Sequence, residues 1–425
     1  MEKIARTLIG AVFAAVLVSA CPIAIGASAL VLERSVPIRL DGDPLIMPAG
    51  IAALGGTDVV VTGRVSTTGW IARVSGDTGH VVWQRTVSAE DELAPSANVK
   101  SIQPVLYAPI LLADGGILVV GHMPRPSGSQ KPQYFTLRLN SSNGAVEHEG
   151  WFGANPPDAP QIQFTVVECT STRDGAALLG VAYKVIRKVE PGLRPIVDNF
   201  YWLATLDAQG RLSAEHYIPE KDVSPIVNIG DLGLVALGDK LVLSISDTNE
   251  TEIIVADGTG HPVSRRPIAG HYQLVRPPND GLPIQLIGAP RHADRTNLIS
   301  FDGGLTEIGR QEVCPCADFL GTSAFRLQDR SLVQIGNQLE FGRVGSPAAI
   351  HLNPESGKID WLSLRDDSRF VRQVLWYGAE TGNRLEIATV RCRLLEPGIA
   401  IDADGTDRAG AGNGSLLTYI NLERP

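Results

Sequence analysis

An all-β fold, a seven-bladed β-propeller closed by an N-terminal strand, is predicted by three observations. A short apolar strand recurs seven times: Trp70–Val74, Tyr134–Asn140, Tyr201–Asp207, Glu252–Asp257, Asn297–Asp302, Ala348–Asn353 and Leu416–Asn421. Six of these end on Asp or Asn, and six are followed by a more polar strand. The recurrence at about 45 to 68 residues matches one four-stranded sheet per unit, the spacing of propeller blades.

The strands of a unit are lettered a to d from the hub outward, and the recurring strand is c. Upstream of each lies a strand b: Asp58–Gly63, Ile117–Gly121, Ala176–Gly180, Lys240–Ile245, Pro283–Ile287, Ser331–Ile335 and Arg384–Ala388. These runs are almost continuously apolar, which suits a strand buried on both faces. Strand d is polar: Val81–Val87, Val146–Gly150, Leu212–His216, Pro262–Arg266, Leu305–Arg310 and Ile359–Leu364. An outer edge needs charge to keep its open backbone from recruiting other strands. Glycines between c and d (Gly79, Gly144, Gly210, Gly260, the pair Gly303-Gly304 and Gly357) supply the positive φ of tight turns. The seventh unit has no strand d of its own, and Val31–Ile38, with the same mixed apolar and charged pattern, is expected to add to it and close the ring.

Composition agrees. The chain holds 44 Gly and 28 Pro, with 6% aromatic residues, which favours short strands and turns over helices. Residues 1–29 read as a signal peptide and 30–425 as the propeller. Lys3 and Arg6 precede an apolar stretch from Leu8 to Ile25, and Ala27-Ser28-Ala29 forms a small-residue cleavage site. A retained membrane anchor is one alternative. A lipoprotein is another, since Val18-Ser19-Ala20-Cys21 resembles a lipobox, and a lipidated Cys21 would tether the chain to the outer membrane. No second apolar run reaches the ~18 residues of a spanning helix. The net charge of −9 becomes −10 without the leader, so phosphate backbones are repelled and nucleic acid is excluded as a partner. Four cysteines remain after cleavage: Cys169, Cys314, Cys316 and Cys392. An exported chain permits disulfides, and the expected bridge joins Cys314 or Cys316 to Cys392.

Gly76-Asp-Thr-Gly-His-Val-Val-Trp83 and Asn353-Pro-Glu-Ser-Gly-Lys-Ile-Asp-Trp361 resemble the turn-plus-Trp signature of quinoprotein-like (PQQ-like) repeats. The resemblance implies a propeller. Quinoprotein dehydrogenases have eight blades and a vicinal Cys-Cys, whereas this chain counts seven and carries Cys314-Pro-Cys316, so no quinone cofactor is expected. The repeat also resembles the propeller lipoproteins of outer-membrane barrel assembly, which are not enzymes.

Antiparallel order places the b–c and d–a loops on one face. The longer connections fall there: His122–Gln133, Lys184–Asn199 and Asp402–Ser415, with Ser88–Ser101, Gly153–Pro160 and Ala269–Gly281. Long loops on a rigid scaffold are where binding residues gather. The partner-binding candidates are Arg187, Lys188 and Arg194 in one basic loop, and Arg291, His292 and Arg295 in another. No catalytic residues are assigned, and neither a resident metal nor any other cofactor is expected. Asp402-Ala-Asp404-Gly-Thr-Asp407 alternates carboxylates as calcium loops do but lacks their terminal Glu. No nucleophile elbow, phosphate loop or zinc helix is present in the sequence. The function expected is therefore an exported, non-enzymatic propeller binding a protein or glycan partner in the cell envelope. The alternative is a hydrolase or lyase with a metal-assisted site at the channel mouth. Intact mass of the exported chain tests the leader: a mature N-terminus at Leu30 is the expected outcome, and a diacylated Cys21 would replace it with a lipoprotein.

Overall fold

The computed structural model describes residues 29–38, 46–65, 68–87, 104–123, 134–153, 162–187, 196–219, 232–246, 249–277, 283–290, 295–314, 319–327, 330–340, 343–353, 359–363, 372–381, 384–392 and 414–423. These residues form strands and turns and no helix, so among them no helix is long and apolar enough to cross a membrane.

The strands fall into four-stranded antiparallel groups taken in chain order. Strand β1 (Ala29–Pro37) stands apart in sequence and joins the last group. The first group is β2 (Ile46–Ala53), β3 (Val59–Val65), β4 (Thr68–Val74) and β5 (Val81–Val87). The second opens with a split strand, β6 (Val105–Leu106) and β7 (Ile110–Leu111), both paired with β8 (Ile117–His122). Pro109, which has no N–H to give a ladder, sits in the break. The group ends with β9 (Tyr134–Leu139) and β10 (Val146–Phe152). The third is β11 (Ile162–Thr172), β12 (Gly175–Arg187), β13 (Ile196–Asp207) and β14 (Leu212–Pro219). The fourth is β15 (Leu232–Leu237), β16 (Lys240–Ser246), β17 (Glu250–Asp257) and β18 (Pro262–Ala269). The fifth is β19 (His271–Arg276), β20 (Ile284–Ala289), β21 (Thr296–Phe301) and β22 (Glu307–Cys314). The sixth is β23 (Phe319–Arg326), β24 (Leu332–Glu340), β25 (Arg343–Leu352) and β26 (Ile359–Ser363). The last contains β27 (Arg372–Thr381), β28 (Arg384–Cys392) and β29 (Gly414–Glu423), with β1 antiparallel to β29 from Ala29↔Glu423 to Pro37↔Leu416. The fifth and sixth groups are joined by a short parallel pairing of β19 with β23, Val275 opposite Ala324 and Arg276 opposite Phe325.

Every recurrent apolar segment found in the sequence lies on the third strand of a group. Their neighbours explain the continuous apolar runs. Val59 and Val61 of β3 enter one core and Val60 the next. Leu118 and Val120 of β8 face the third group, while Ile117 and Val119 face the first. Ala177 and Leu179 of β12 pack with Leu241 and Leu243 of β16, whose Val242 packs onward with Leu286 and Phe301. Side chains alternate across a strand, so a strand sandwiched between two sheets must be apolar at every position.

The Asp or Asn closing strand c caps the turn that follows. Asn140 Oδ1 accepts the Ser142 N–H at 3.0 Å. Asp257 Oδ1 accepts those of Thr259 (2.9 Å) and His261 (3.1 Å), and Asp302 Oδ1 those of Gly304 (2.9 Å) and Thr306 (2.8 Å). The Thr259 hydroxyl first, then these backbone groups, hold the Asp257 carboxyl below its ordinary range. The turns after Asn140, Asp207 and Asp302 are also bonded by the group before them. Trp83 Nε1 and Arg73 Nη1 donate to the Ser141 carbonyl at 3.0 and 3.2 Å, Arg138 Nη1 to Ala208 O at 2.6 Å, and Arg266 Nη1 to Leu305 O at 2.7 Å. The Trp of the repeat signature thus links one sheet to the next.

Several expectations are corrected. The left-handed residue of the fifth turn is Leu305 (φ 65°), not Gly303 or Gly304, although Gly79, Gly144, Gly210 and Gly260 serve as expected in the other described turns. Leu305 keeps its side chain in the core with Phe301 and Ile299, which outweighs the strain. Ala269–Gly281 is not a long loop: β19 begins at His271, two residues after β18 ends, because Tyr272, Leu274 and Val275 are buried core residues. The longer connection there is 277–283, an a–b loop, so the longer connections do not all fall on the b–c and d–a face. The expected bridge from Cys314 or Cys316 to Cys392 falls on side chains outside the described ones, and the described Cys169 forms no disulfide. Cys314 and Cys392 end strands of the fifth and last groups, and Cys316 lies outside the described residues.

Leu305→Gly weighs two effects against each other. Relief of a left-handed non-Gly residue returns about 1 kcal/mol, while loss of a buried leucine costs about 2–5 kcal/mol. Equilibrium urea unfolding of the variant should show a net destabilisation of about 1–4 kcal/mol.

Candidate functional site

The b–c end of the third group differs from its neighbours. β12 runs for 13 residues and β13 for 12, against 6 each for β8 and β9 and 7 and 8 for β16 and β17. Pairing continues from Gly175↔Asp207 through Lys184↔Asp198 and Val185↔Val197 to Arg187↔Ile196. The extra length lies at the b–c end and amounts to about 15–20 Å at ~3.3 Å per residue. The β-branched residues Val185, Ile186, Ile196 and Val197 favour strand where the sequence reading placed a loop over Lys184–Asn199. Lys184 and Arg187 are therefore strand residues near the top of a raised hairpin.

The remaining candidates separate. Lys188, Arg194, Arg291 and His292 lie outside the described residues, as does Asp402–Asp407. Arg295 is exposed, and its guanidinium is bonded to Glu312 on the adjacent strand β22. Both partners are largely solvated, so the pair contributes little to stability.

A second polar centre, which the sequence reading did not single out, lies where β11, β15, β19 and β23 converge. These are the first strands of four successive groups. Glu168 of β11 is 7% exposed and accepts a hydrogen bond from Arg276 Nη2 of β19 at 2.5 Å. The bond passes across β15, for Leu232, Gly233, Leu234 and Val235 line the same small cavity. A bulge between Val166 and Glu168 makes this possible. Val166 and Cys169 both face the core shared with the second group. The additional residue reverses the alternation, so Glu168 leaves that core and turns to the opposite side. Burial pushes its carboxyl above the ordinary range, and the Arg276 charge and hydrogen bond oppose the shift.

Around this pair the polar groups satisfy one another. Gln273 Nε2 donates to Gly321 O at 2.5 Å, and Gln334 Nε2 donates to Gln273 Oε1 at 2.8 Å. A Cβ at Gly321 would lie 2.1 Å from Gln334 Nε2 and 2.6 Å from Gln273 Oε1, so a larger residue there would push these amides out of place. The Arg276 guanidinium also rests 6.0 Å from the Phe325 ring centroid. The cavity left holds about 20 Å³, room for one water. Beside it the Cys169 thiol is buried and pushed up to about 12, first by burial and then by the Glu168 charge. It donates to Ala108 O at 3.3 Å, an arrangement for packing and not for nucleophilic attack.

No protein-family model matches the chain, and no curated protein does. Solved structures with a similar course of chain include a puromycin-hydrolyzing peptidase of Mycobacterium tuberculosis, 14% identical over 86% of this chain, with a TM-score of 0.49. The chain spans 55% of that peptidase's length. A protein of unknown function from Dyadobacter fermentans is 13% identical, covering 93% of this chain and all of its own, at a TM-score of 0.42. The Dos1 propeller is 9% identical, covering 88% of this chain and 77% of its own, also at 0.42. Likenesses of this size assign neither an activity nor a ligand.

Arg276→Met strands a buried carboxylate and should destabilise by about 3–5 kcal/mol, whereas the double replacement Glu168→Leu with Arg276→Met should recover most of that loss. Denaturant unfolding of the single and double variants measures the difference. A double variant as unstable as Arg276→Met would remove the ion pair as the cause.

Proposed function

We propose that the chain is an exported seven-bladed β-propeller that binds a protein or glycan partner in the cell envelope through its b–c face. Support for a closed ring comes from the order of contacts: each group packs against its neighbours in sequence, β26 against β1, and β2 of the first group against β27 and β28 of the last. The strand β1 on β29 gives that last group its fourth strand.

The observation that carries the binding reading is the raised β12–β13 hairpin. It lifts Lys184 and Arg187 above the rest of the b–c end on an otherwise acidic chain, and Lys188 follows directly. Cations set on a rigid two-stranded ribbon lose less freedom on docking than the same cations on a loop, so they favour an acidic partner surface. The converging first strands support recognition at the end of the molecule over chemistry at its centre. At the level of Glu168 and Arg276 the space holds one water, and both charges are bonded to each other.

Affinity capture from envelope fractions with residues 30–425 tests this reading. The charge-reversed variant Arg187→Glu with Lys188→Glu should lose the captured partner while keeping its unfolding midpoint. Equal capture by both forms would take the hairpin out of the account.

A further inference from the structure

A cavity of about 400 Å³ lies between the fifth and sixth groups, bordered by Gln285, Leu298, Ser300, Gln311, Arg326 and Arg330. It is separate from the raised hairpin and from the Glu168 centre. None of the described residues lining it is acidic. On strand β22, which forms one wall, the carboxylates are paired: Glu307 with Arg310, itself a lining residue, and Glu312 with Arg295.

Arg326 closes β23 and is 8% exposed. A buried guanidinium ordinarily sits against a carboxylate. This one has none among the described residues. Its Nε donates to Gln285 Oε1 at 2.6 Å and its Nη1 to the Arg330 carbonyl at 3.1 Å, while Nη2 makes no bond among those residues. Arg330 is held beside it in the left-handed region, at φ 70°, by a tight turn in which its N–H bonds Leu327 O at 2.9 Å. Arg326 and Arg330 thus bring two positive charges to the cavity beside the paired Arg310.

The hydrogen bonds between them run in one direction. Arg326 donates to the Gln285 carbonyl oxygen, which orients the amide so that its Nε2 donates to Ser300 Oγ at 3.0 Å. Ser300 therefore receives a proton donor and keeps its own O–H to give away. The chain of donors ends at Ser300, which lines the cavity together with Arg326. Such a surface offers donors and positive charge and asks for an acceptor with negative charge. Leu298 supplies an apolar wall.

We propose that this cavity is a binding site for a small oxyanion-bearing ligand, a phosphate or carboxylate group carried on a polar body of about monosaccharide size. The ligand's oxygens take the free N–H groups of Arg326 and the Ser300 hydroxyl, with Arg330 adding charge at the mouth. Charge-assisted bonds of this kind are short, and the planar guanidinium matches both groups.

Isothermal titration of the whole chain with inorganic phosphate and, separately, with glucuronate tests the site and distinguishes the two anions. Saturable binding of at least one is expected. Arg326→Met should weaken it by about tenfold or more. Ser300→Ala, which leaves the buried guanidinium and the fold in place, should weaken it several-fold, and sodium chloride should compete only weakly. Binding that survives Ser300→Ala and Arg326→Met unchanged, or no saturable binding of either anion at tens of millimolar, would overturn the proposal.

Discussion

The middle strands β3, β8, β12 and β16 each belong to two cores at once. Odd and even residues of β3, β8, β12 and β16 are divided between the sheet before and the sheet after. A slip of one residue would exchange the two sets, and because both are apolar the exchange would not expose polar groups to a core. Register must then be fixed by something other than polarity. The capped turns do this. An Asp or Asn at the end of strand c, a left-handed residue after it, and a polar side chain from the preceding sheet on the turn carbonyl together admit one alignment. The layers are generic; the turns are specific.

That division explains what could be read without coordinates. Apolar runs and terminal Asp or Asn residues are local, so the third strands, the second strands and the turns were all legible. The partnership of β1 with β29 was legible because a missing outer strand leaves a defined vacancy in the pattern. What escaped depended on residues distant in sequence. Leu305 takes the left-handed position because the core beneath it, built from Ile299, Phe301 and Tyr272, has room for its side chain, and two preceding glycines concealed the substitution. β19 was taken for a loop because His271, Gln273 and Arg276 dilute its apolar residues, and Gln273 and Arg276 find partners on β23 and β11. Glu168 is a lone carboxylate in a β-rich stretch until the bulge beside it is known.

The candidate sites show the same limit. Basic residues in a gap between strands look like a loop, and here β-branched neighbours carry the ladder through half of that gap. Arg295 appears available in sequence and is bonded to Glu312 in space. Arg326 gives no signal at all in sequence, since nothing near it indicates that no carboxylate among the described residues meets it. Only burial and the direction of three consecutive hydrogen-bond donors set it apart.

The link from Glu168 to Arg276 joins residues 108 positions apart and passes over an intervening sheet. Modules arranged so that each touches only its immediate neighbours lose structure piecemeal from any weak point. A tie between the third and the fifth makes the fourth a captive member. Those three modules should melt as one cooperative block, with amide exchange in β15 and β16 as slow as in the sheets on either side.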